Sequence, residues 1–322
     1  MSKISIDLTS LQVFMSVCED FNMSQAAKRL NLTQPAVSSC IHKLEKIVGA
    51  ELFDRSSRPL KLTQVGRVLF NRANTLLNSL ERLSCDLQDA TRGKKLDLRL
   101  ATSDSVSYCI VPYIMGDLLQ KTNYLCTFGG HTPQICKYLA ENKADIIVGT
   151  DFMQMQRDVH VIPSHIEDFL IVAPKEYEGR LNKISDIALM ASKLPVIRLN
   201  DHSLDAVQIE RVLRQCDIEL PHKIEVDSDR ELISSVSNGL AWSVLPPLGL
   251  WAGREFLANT SLHKIQSLHG TRSTYVLYRD VIYANMAIDL VKTIHQVIET
   301  KLVPEMEKDF PILAQSIRTS QG

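Results

Sequence analysis

The chain is 322 residues long, 45% apolar and 23% charged, with a formal net charge of −1. Such a length exceeds what one hydrophobic core usually supports and implies two or more domains, while no run approaches the roughly 20 apolar residues of a membrane helix. The charge is unevenly placed: residues 1–95 hold 14 Lys/Arg against 9 Asp/Glu and the remainder 22 against 28, so a basic part suited to polyanions precedes an acidic body.

Three short helices are expected first. Leu8, Leu11, Phe14, Val17 and Cys18 form a helical stripe behind a cap at Asp7 or Thr9. Ser24 is expected to cap the second helix, in which Ala26 and Ala27 allow close packing. Asn31 can end it in the left-handed conformation, Thr33 can cap a third helix, and Pro35 is tolerated in its first turn. "NLT" is thus the turn of a helix-turn-helix, with Leu32 pinning the corner from inside and Val37, Ile41, Leu44 and Val48 facing inward.

The outer face of the third helix carries Gln34, Ser38, Ser39, His42 and Lys43, side chains that match base edges in a major groove. A solvated face is the plain alternative. The neighbourhood favours DNA: between Lys28 and Arg72 there are nine Lys/Arg against Glu45, Glu51 and Asp54. "GAELFDRSSRPLKLT" then reads as a Gly-terminated helix and a short extended pair, a wing whose tip brings Arg55 and Arg58 beside the groove.

Leu11, Phe14, Val17, Ala26, Ala27, Leu30, Gln34, Pro35, Ala36, Val37, Ser38, Ile41, Leu44, Glu45, Gly49, Leu52, Phe53, Arg55, Leu62, Thr63 and Gly66 fall at the spacing of the LysR-type transcriptional regulators. Over residues 8–67 the chain resembles that family, though Ser39 stands where arginine is frequent and Cys40 where glutamine is. The resemblance implies an α + α/β protein. Its expected parts are an N-terminal winged helix-turn-helix (1–66), a long linker helix (67–93), a two-lobed periplasmic-binding-protein-like effector domain (94–302) and a tail (303–322) of unassigned role. It further implies double-stranded DNA as partner, contacted by Gln34, Pro35, Ser38, Ser39 and Arg58. Also implied are a dimer that pairs again into a tetramer, and RNA polymerase as a further partner.

The next segment supports pairing independently. Leu62, Leu69, Ala73, Leu76, Leu80, Leu83, Leu87 and Ala90 continue a 3-4 alternation that also passes through Gly66 and reads as a coiled-coil seam. A helix lying on its own domain is the alternative. The seam stops at the basic hinge "TRGKK".

Beyond it the pattern turns to α/β, with strands at "LDLRLAT", "YLCTFGG" and "DIIVGT" alternating with helices. "HVIPSHIED" and "DFLIVAP" read as strands of a crossing region. A second set then begins at "LPVIRLN" and ends at "LAWSVLP", before a helix near 284–302. Ligands in such sheets collect at strand ends and helix starts. Those ends are Thr102 and Ser103; His131 and Thr132; Thr150; Ile197, Arg198 and Asn200; and Asp227. The expected effector is a small anionic metabolite, its carboxylate paired with Arg198 or His131. For Ser103, Thr132 and Ser228, helix capping is the plainer role.

Other functions find less support. There is no GxSxG, no phosphate-binding glycine loop and no HExxH, so a metabolite-binding enzyme is disfavoured, and no cofactor or metal is expected. The N-terminus "MSKISIDLTS" lacks the apolar core of an export signal, and seven cysteines without metal spacing suggest reduced thiols in a cytoplasm. Some relatives of the family sense oxidants through a disulfide in the second lobe. Only Cys216 falls there, and Cys126 and Cys136 fit apolar stripes.

Overall fold

The computed structural model describes residues 6–56, 59–92, 95–150, 158–200, 204–220, 222–264 and 270–320. They form two compact units, Met1–Gly93 and Lys94–Gly322.

The first unit contains α1 (Leu8–Asp20), α2 (Met23–Arg29), α3 (Gln34–Val48), β1 (Phe53–Asp54), β2 (Lys61–Leu62) and α4 (Gln64–Arg92). Asp7 caps α1, its carboxylate accepting the Ser10 N–H at 2.8 Å. The cap of α2 is Asn22 and not Ser24. Its side-chain oxygen accepts from the Ser24 and Gln25 amides at 2.9 and 3.2 Å, because Asn22 is the residue left in extended backbone after the left-handed Phe21. Asn31 does adopt the left-handed conformation (φ 53), and Thr33 caps α3 with Pro35 in its first turn. Leu32 does not pin the corner; it is 45% exposed. The corner is held by Ala26, Ala27 and Val37, which pack with Phe14, Val17, Ile41, Leu44, Leu52 and Phe53.

Gly49 (φ +78) ends α3, as left-handed C-caps require. Phe53 and Asp54 pair antiparallel with Leu62 and Lys61 to form the wing. Gly66 lets α4 start against this hairpin: a Cβ there would stand 2.1 Å from the Leu52 carbonyl oxygen. Along α4, Ala73 is buried, whereas Leu76 and Leu83, one heptad apart, are 48% and 52% exposed.

In the second unit the first lobe is built from β3 (Leu98–Ser103), α5 (Asp104–Cys109), α6 (Val111–Lys121), β4 (Leu125–Gly130), α7 (Thr132–Ala140) and β5 (Ile146–Thr150). β6 (His160–Asp168) leads across to the second lobe. That lobe holds β7 (Leu170–Pro174), α8 (Ile184–Ala191), β8 (Val196–Leu199), α9 (Leu204–Gln215), β9 (Lys223–Val226), α10 (Asp229–Ser237), β10 (Ser243–Leu245), α11 (Pro247–Ala252) and β11 (Thr260–His263). β12 (Thr271–Tyr278) returns to the first lobe, followed by α12 (Ala284–Val297), α13 (Val303–Asp309), α14 (Pro311–Ala314) and β13 (Ile317–Thr319).

The first lobe's sheet has the order β13-β6-β12-β5-β3-β4, with β3 parallel to both β4 and β5. In the second lobe β10-β7-β11 and β8-β9 are linked by the Val196–Trp242 bridge. β6 and β12 run antiparallel over their whole lengths and carry the chain between the lobes, so they form the hinge. The stretch that forms β12 is left unassigned by sequence patterning.

The segment beyond residue 302 is integral to this unit. Helix α12 runs into α13 through a π turn at Ile298–Leu302, where Pro304 supplies no N–H for the regular ladder. The chain then turns through α14 and adds β13 to β6, pairing Ile317 with Glu167 and Thr319 with His165. Asp168, at the end of β6, receives Lys264 at 2.7 Å and Arg318 at 2.8 Å.

Candidate DNA-reading face and effector cleft

The first site is the outer face of α3. Its inner stripe, Val37, Ile41 and Leu44, is fully buried, which turns Gln34, Pro35, Ser39 and His42 to solvent and leaves Ser38 half-buried beside them. The helix is therefore held by apolar packing while its polar edge faces solvent. His42 lies 4.0 Å from Glu45. Arg55 is also paired within the protein. Its guanidinium holds the Glu45 carboxylate at 2.8 Å, and that carboxylate, 7% exposed, also accepts the Leu52 N–H at 2.9 Å. Arg55 thus ties the wing to α3, with its side chain still 49% exposed. Arg29 is likewise paired, with Glu19 and Asp20. Arg58 lies outside the described residues.

The second site is the cleft between the lobes, about 190 Å³ in volume. Of the expected residues, Ser103, His131, Thr132, Thr150 and Asp227 line it. Thr132 and Thr150 bond to each other through their hydroxyls at 3.0 Å. Ser103 sits at the cap position of α5 but makes no capping bond. Its hydroxyl is buried and has no partner among the described residues.

Four expected residues are not among those lining the cleft. Thr102 is 1% exposed and lies behind Ser103 in β3. Ile197 points into the core, as alternation along a strand with one covered face demands. Arg198, its neighbour, projects the other way to Glu210 on α9, at 2.8 Å, and to Glu225 on β9. Asn200 contributes indirectly, donating its amide to the Asp227 carboxylate.

The cleft also contains groups that sequence patterning misses. Asp104, Asp205 and Asp229 stand in the first turns of α5, α9 and α10, and Arg230 and Arg272 join them. Burial pushes the Asp104 carboxyl up, against the pull of His131 at 3.7 Å. Burial also pushes Asp229 up to about 7. Arg272 opposes that shift, and Asp205, Asp104 and Glu167 add to it.

Arg272, on hinge strand β12, joins both lobes. Its Nε donates to Glu167 at 2.8 Å, its Nη1 to Asp205 of the second lobe at 2.7 Å, and its Nη2 to Ser105 of the first at 3.2 Å. Glu167 is fully buried and accepts the Leu248 N–H at 2.7 Å. Beside it His165 is held neutral, its pKa pushed down to about 3 by burial and by Arg272 and His295.

The six described cysteines form no disulfide. Burial pushes the Cys18 thiol up to about 12 and raises that of Cys109, so neither tends toward a reactive thiolate. Among the described residues no helix is long and apolar enough to cross a membrane.

Known proteins share this arrangement. Residues 8–67 match the family model of bacterial regulatory helix-turn-helix proteins of the lysR family, and residues 91–288 match the LysR substrate binding domain. A probable RuBisCO transcriptional regulator of Cyanidioschyzon merolae is 26% identical over 249 residues, covering 76% of this chain and 81% of the relative. A probable cat1 operon transcriptional activator of Acinetobacter lwoffii is 25% identical, covering 75% and 80%. Among solved structures, CbnR in complex with its target DNA superposes with a TM-score of 0.65 at 19% identity, over 90% of this chain and all (100%) of that one. A full-length OxyR variant from Pseudomonas aeruginosa superposes with a TM-score of 0.64 at 18% identity, over 99% of both chains. With a reading helix, a wing and a two-lobed receptor domain matched in order along its length, the chain belongs to the LysR family of DNA-binding transcriptional regulators and is not an enzyme.

Proposed function

We propose that the protein reads an operator in cytoplasmic DNA as an oligomer and changes its hold on that operator when a small molecule enters the interlobe cleft. The observation that carries this reading is the polar edge of α3, exposed from Gln34 to His42 on a helix whose opposite face is fully buried. Gln34, Ser38, Ser39 and His42 contact base edges, and Pro35 fixes the start of the helix against the groove. Leu76 and Leu83 of α4, exposed one heptad apart, meet a second copy of the same helix. Dimers then pair into a tetramer, and the DNA-bound assembly presents a surface to RNA polymerase. A ligand that favours one closure of the lobes shifts the hinge strands β6 and β12 and so the spacing of the DNA-reading heads.

The test is selection of bound fragments from genomic DNA by the purified full-length protein, followed by footprinting. Replacing Gln34 or Ser38 by Ala is expected to weaken specific binding by about 1–3 kcal/mol and to relax preference at one position. Equal weak affinity for every duplex, unchanged by either substitution, would end this reading.

A further inference from the structure

We infer that the cleft takes a small organic cation, an amine, in preference to a carboxylate; this rests on the reading of the cleft as the effector site. Its lining sets four carboxylates, Asp104, Asp205, Asp227 and Asp229, against two guanidinium groups, Arg230 and Arg272. Both guanidinium groups are engaged, and Arg272 takes Asp205 with it, so Asp104, Asp227 and Asp229 are the carboxylates left to meet a ligand. All three nitrogens of Arg272 donate within the protein, to Glu167, Asp205 and Ser105. Arg230 pairs with Glu255, which is not part of the lining. His131 already faces Asp104. Arg198, the other cation that could have met an anionic effector, is held by Glu210 and Glu225 away from the cleft.

The helix starts point the same way. Free N–H groups at a helix N-terminus attract anions, but here the first turns that face the cleft already carry acidic residues of the chain itself, which set negative charge where an anionic ligand would have to come. Asp104 and Asp229 open α5 and α10, and Asp205 stands in the first turn of α9. At the start of α7, Pro133 removes one donor.

The unpartnered Ser103 hydroxyl is a separate indication that something binds. Ser103 is only 8% exposed, lines the cleft, and neither caps its helix nor meets another described group. A buried hydroxyl in that state costs free energy that any polar ligand recovers; the hydroxyl marks a binding place and can accept from an ammonium, while the sign of the ligand's charge is set by the surrounding carboxylates. A cation also relieves the crowding of carboxylates around Asp229, where burial and the neighbouring acids disfavour the charged form. A metal ion fits less well, because no group of three His, Cys, Asp or Glu among the described residues converges on one point. Tyr108, Leu199 and Ala252 offer apolar wall for the organic body of the ligand.

The test uses the full-length protein at pH 8 and low salt. Calorimetry and thermal melting are run with 1,4-diaminobutane and n-butylamine, and with butyrate, 1-butanol and calcium chloride as the contrasting probes. Saturable binding of an amine is expected, with a raised melting temperature, and about tenfold weaker binding in Asp229→Asn and Asp104→Asn. Ser103→Ala should weaken it by about threefold. Neither amine binding, calcium binding in preference, or amine affinity unchanged in all three variants would overturn the inference. Butyrate binding that these variants abolish would also overturn it, while leaving the cleft as the effector site. An amine that binds in the cleft yet leaves operator affinity unchanged would support the cation preference and defeat the effector reading instead.

Discussion

Replacing Arg272 with methionine probes the joint between the lobes. Met keeps most of the volume and removes the guanidinium, whose side chain is 4% exposed and donates to two carboxylates and one hydroxyl. What remains is Glu167, fully buried, with the Leu248 N–H at 2.7 Å as its closest described donor and a neutral His165 at 3.7 Å. Breaking one side of such a buried pair costs about 3–5 kcal/mol, because the surviving charge is left uncompensated. For a unit of this size that is a fall in Tm of about 6–20 °C. The cost should be smaller at pH 5 than at pH 8, since a buried carboxylate without its cation can escape by taking up a proton. Tryptophan fluorescence reports on this unit alone, since Trp242 and Trp251 are the chain's two tryptophans and both are buried there. Urea melts of Arg272→Met, Glu167→Gln and the double variant close a cycle. The double should lose about 2 kcal/mol less than the sum of the singles. A loss under about 1 kcal/mol in Arg272→Met, or simple additivity, would show that this joint does not hold the lobes together.

Asp229 makes stability depend on pH in a known direction. Its folded pKa of about 7 lies above the ordinary 3.8, so the folded state holds the proton more tightly and stability is lost as pH rises through 7. Asp229→Asn should therefore melt higher than the parent at pH 8 and nearly level with it at pH 4; equal differences at both would contradict the assignment. Gly66→Ala should destabilise the DNA-binding unit by roughly 1–3 kcal/mol through overpacking against the Leu52 carbonyl, despite alanine's better helix propensity, as amide exchange in α3 and α4 would report. Glu45→Gln should loosen the wing, because Arg55 loses its carboxylate. Its effect on operator affinity should match that of Arg55→Ala, and a much larger loss in Arg55→Ala would mean that arginine touches DNA directly. Removing residues 311–320 should lower the Tm of the receptor unit, because it takes away β13 and the Arg318–Asp168 pair at 2.8 Å and bares the edge of β6.

The DNA-reading head was almost fully legible because its determinants are local. A left-handed Asn31, a capping Thr33, a first-turn Pro35 and a stripe spaced for one helix face act within a few residues of each other, and each produced the expected geometry. The local errors were of the same range. Asn22 and Ser24 are both good caps, and which of them is extended depends on how Phe21 leaves the preceding helix. Leu32 is apolar, yet its direction follows from the corner and not from hydropathy.

The cleft was legible by halves. Strand ends could be placed from patterning, so Ser103, His131, Thr132, Thr150 and Asp227 were found. Which way a residue at such an end points depends on pairing register and on what covers the strand. That is why Ile197 turned inward and Arg198 turned to Glu210. Arg272, with Glu167 and Asp205, joins positions far apart along the chain through strands and helices that meet only in the folded unit. By itself the sequence determined the reading helix, its wing, the linker and the alternation of the receptor unit, because short-range periodicity and capping decide those. The tertiary structure alone decided which charges share the cleft and which are cancelled before a ligand arrives, because electrostatic pairing acts between side chains that only folding brings within reach.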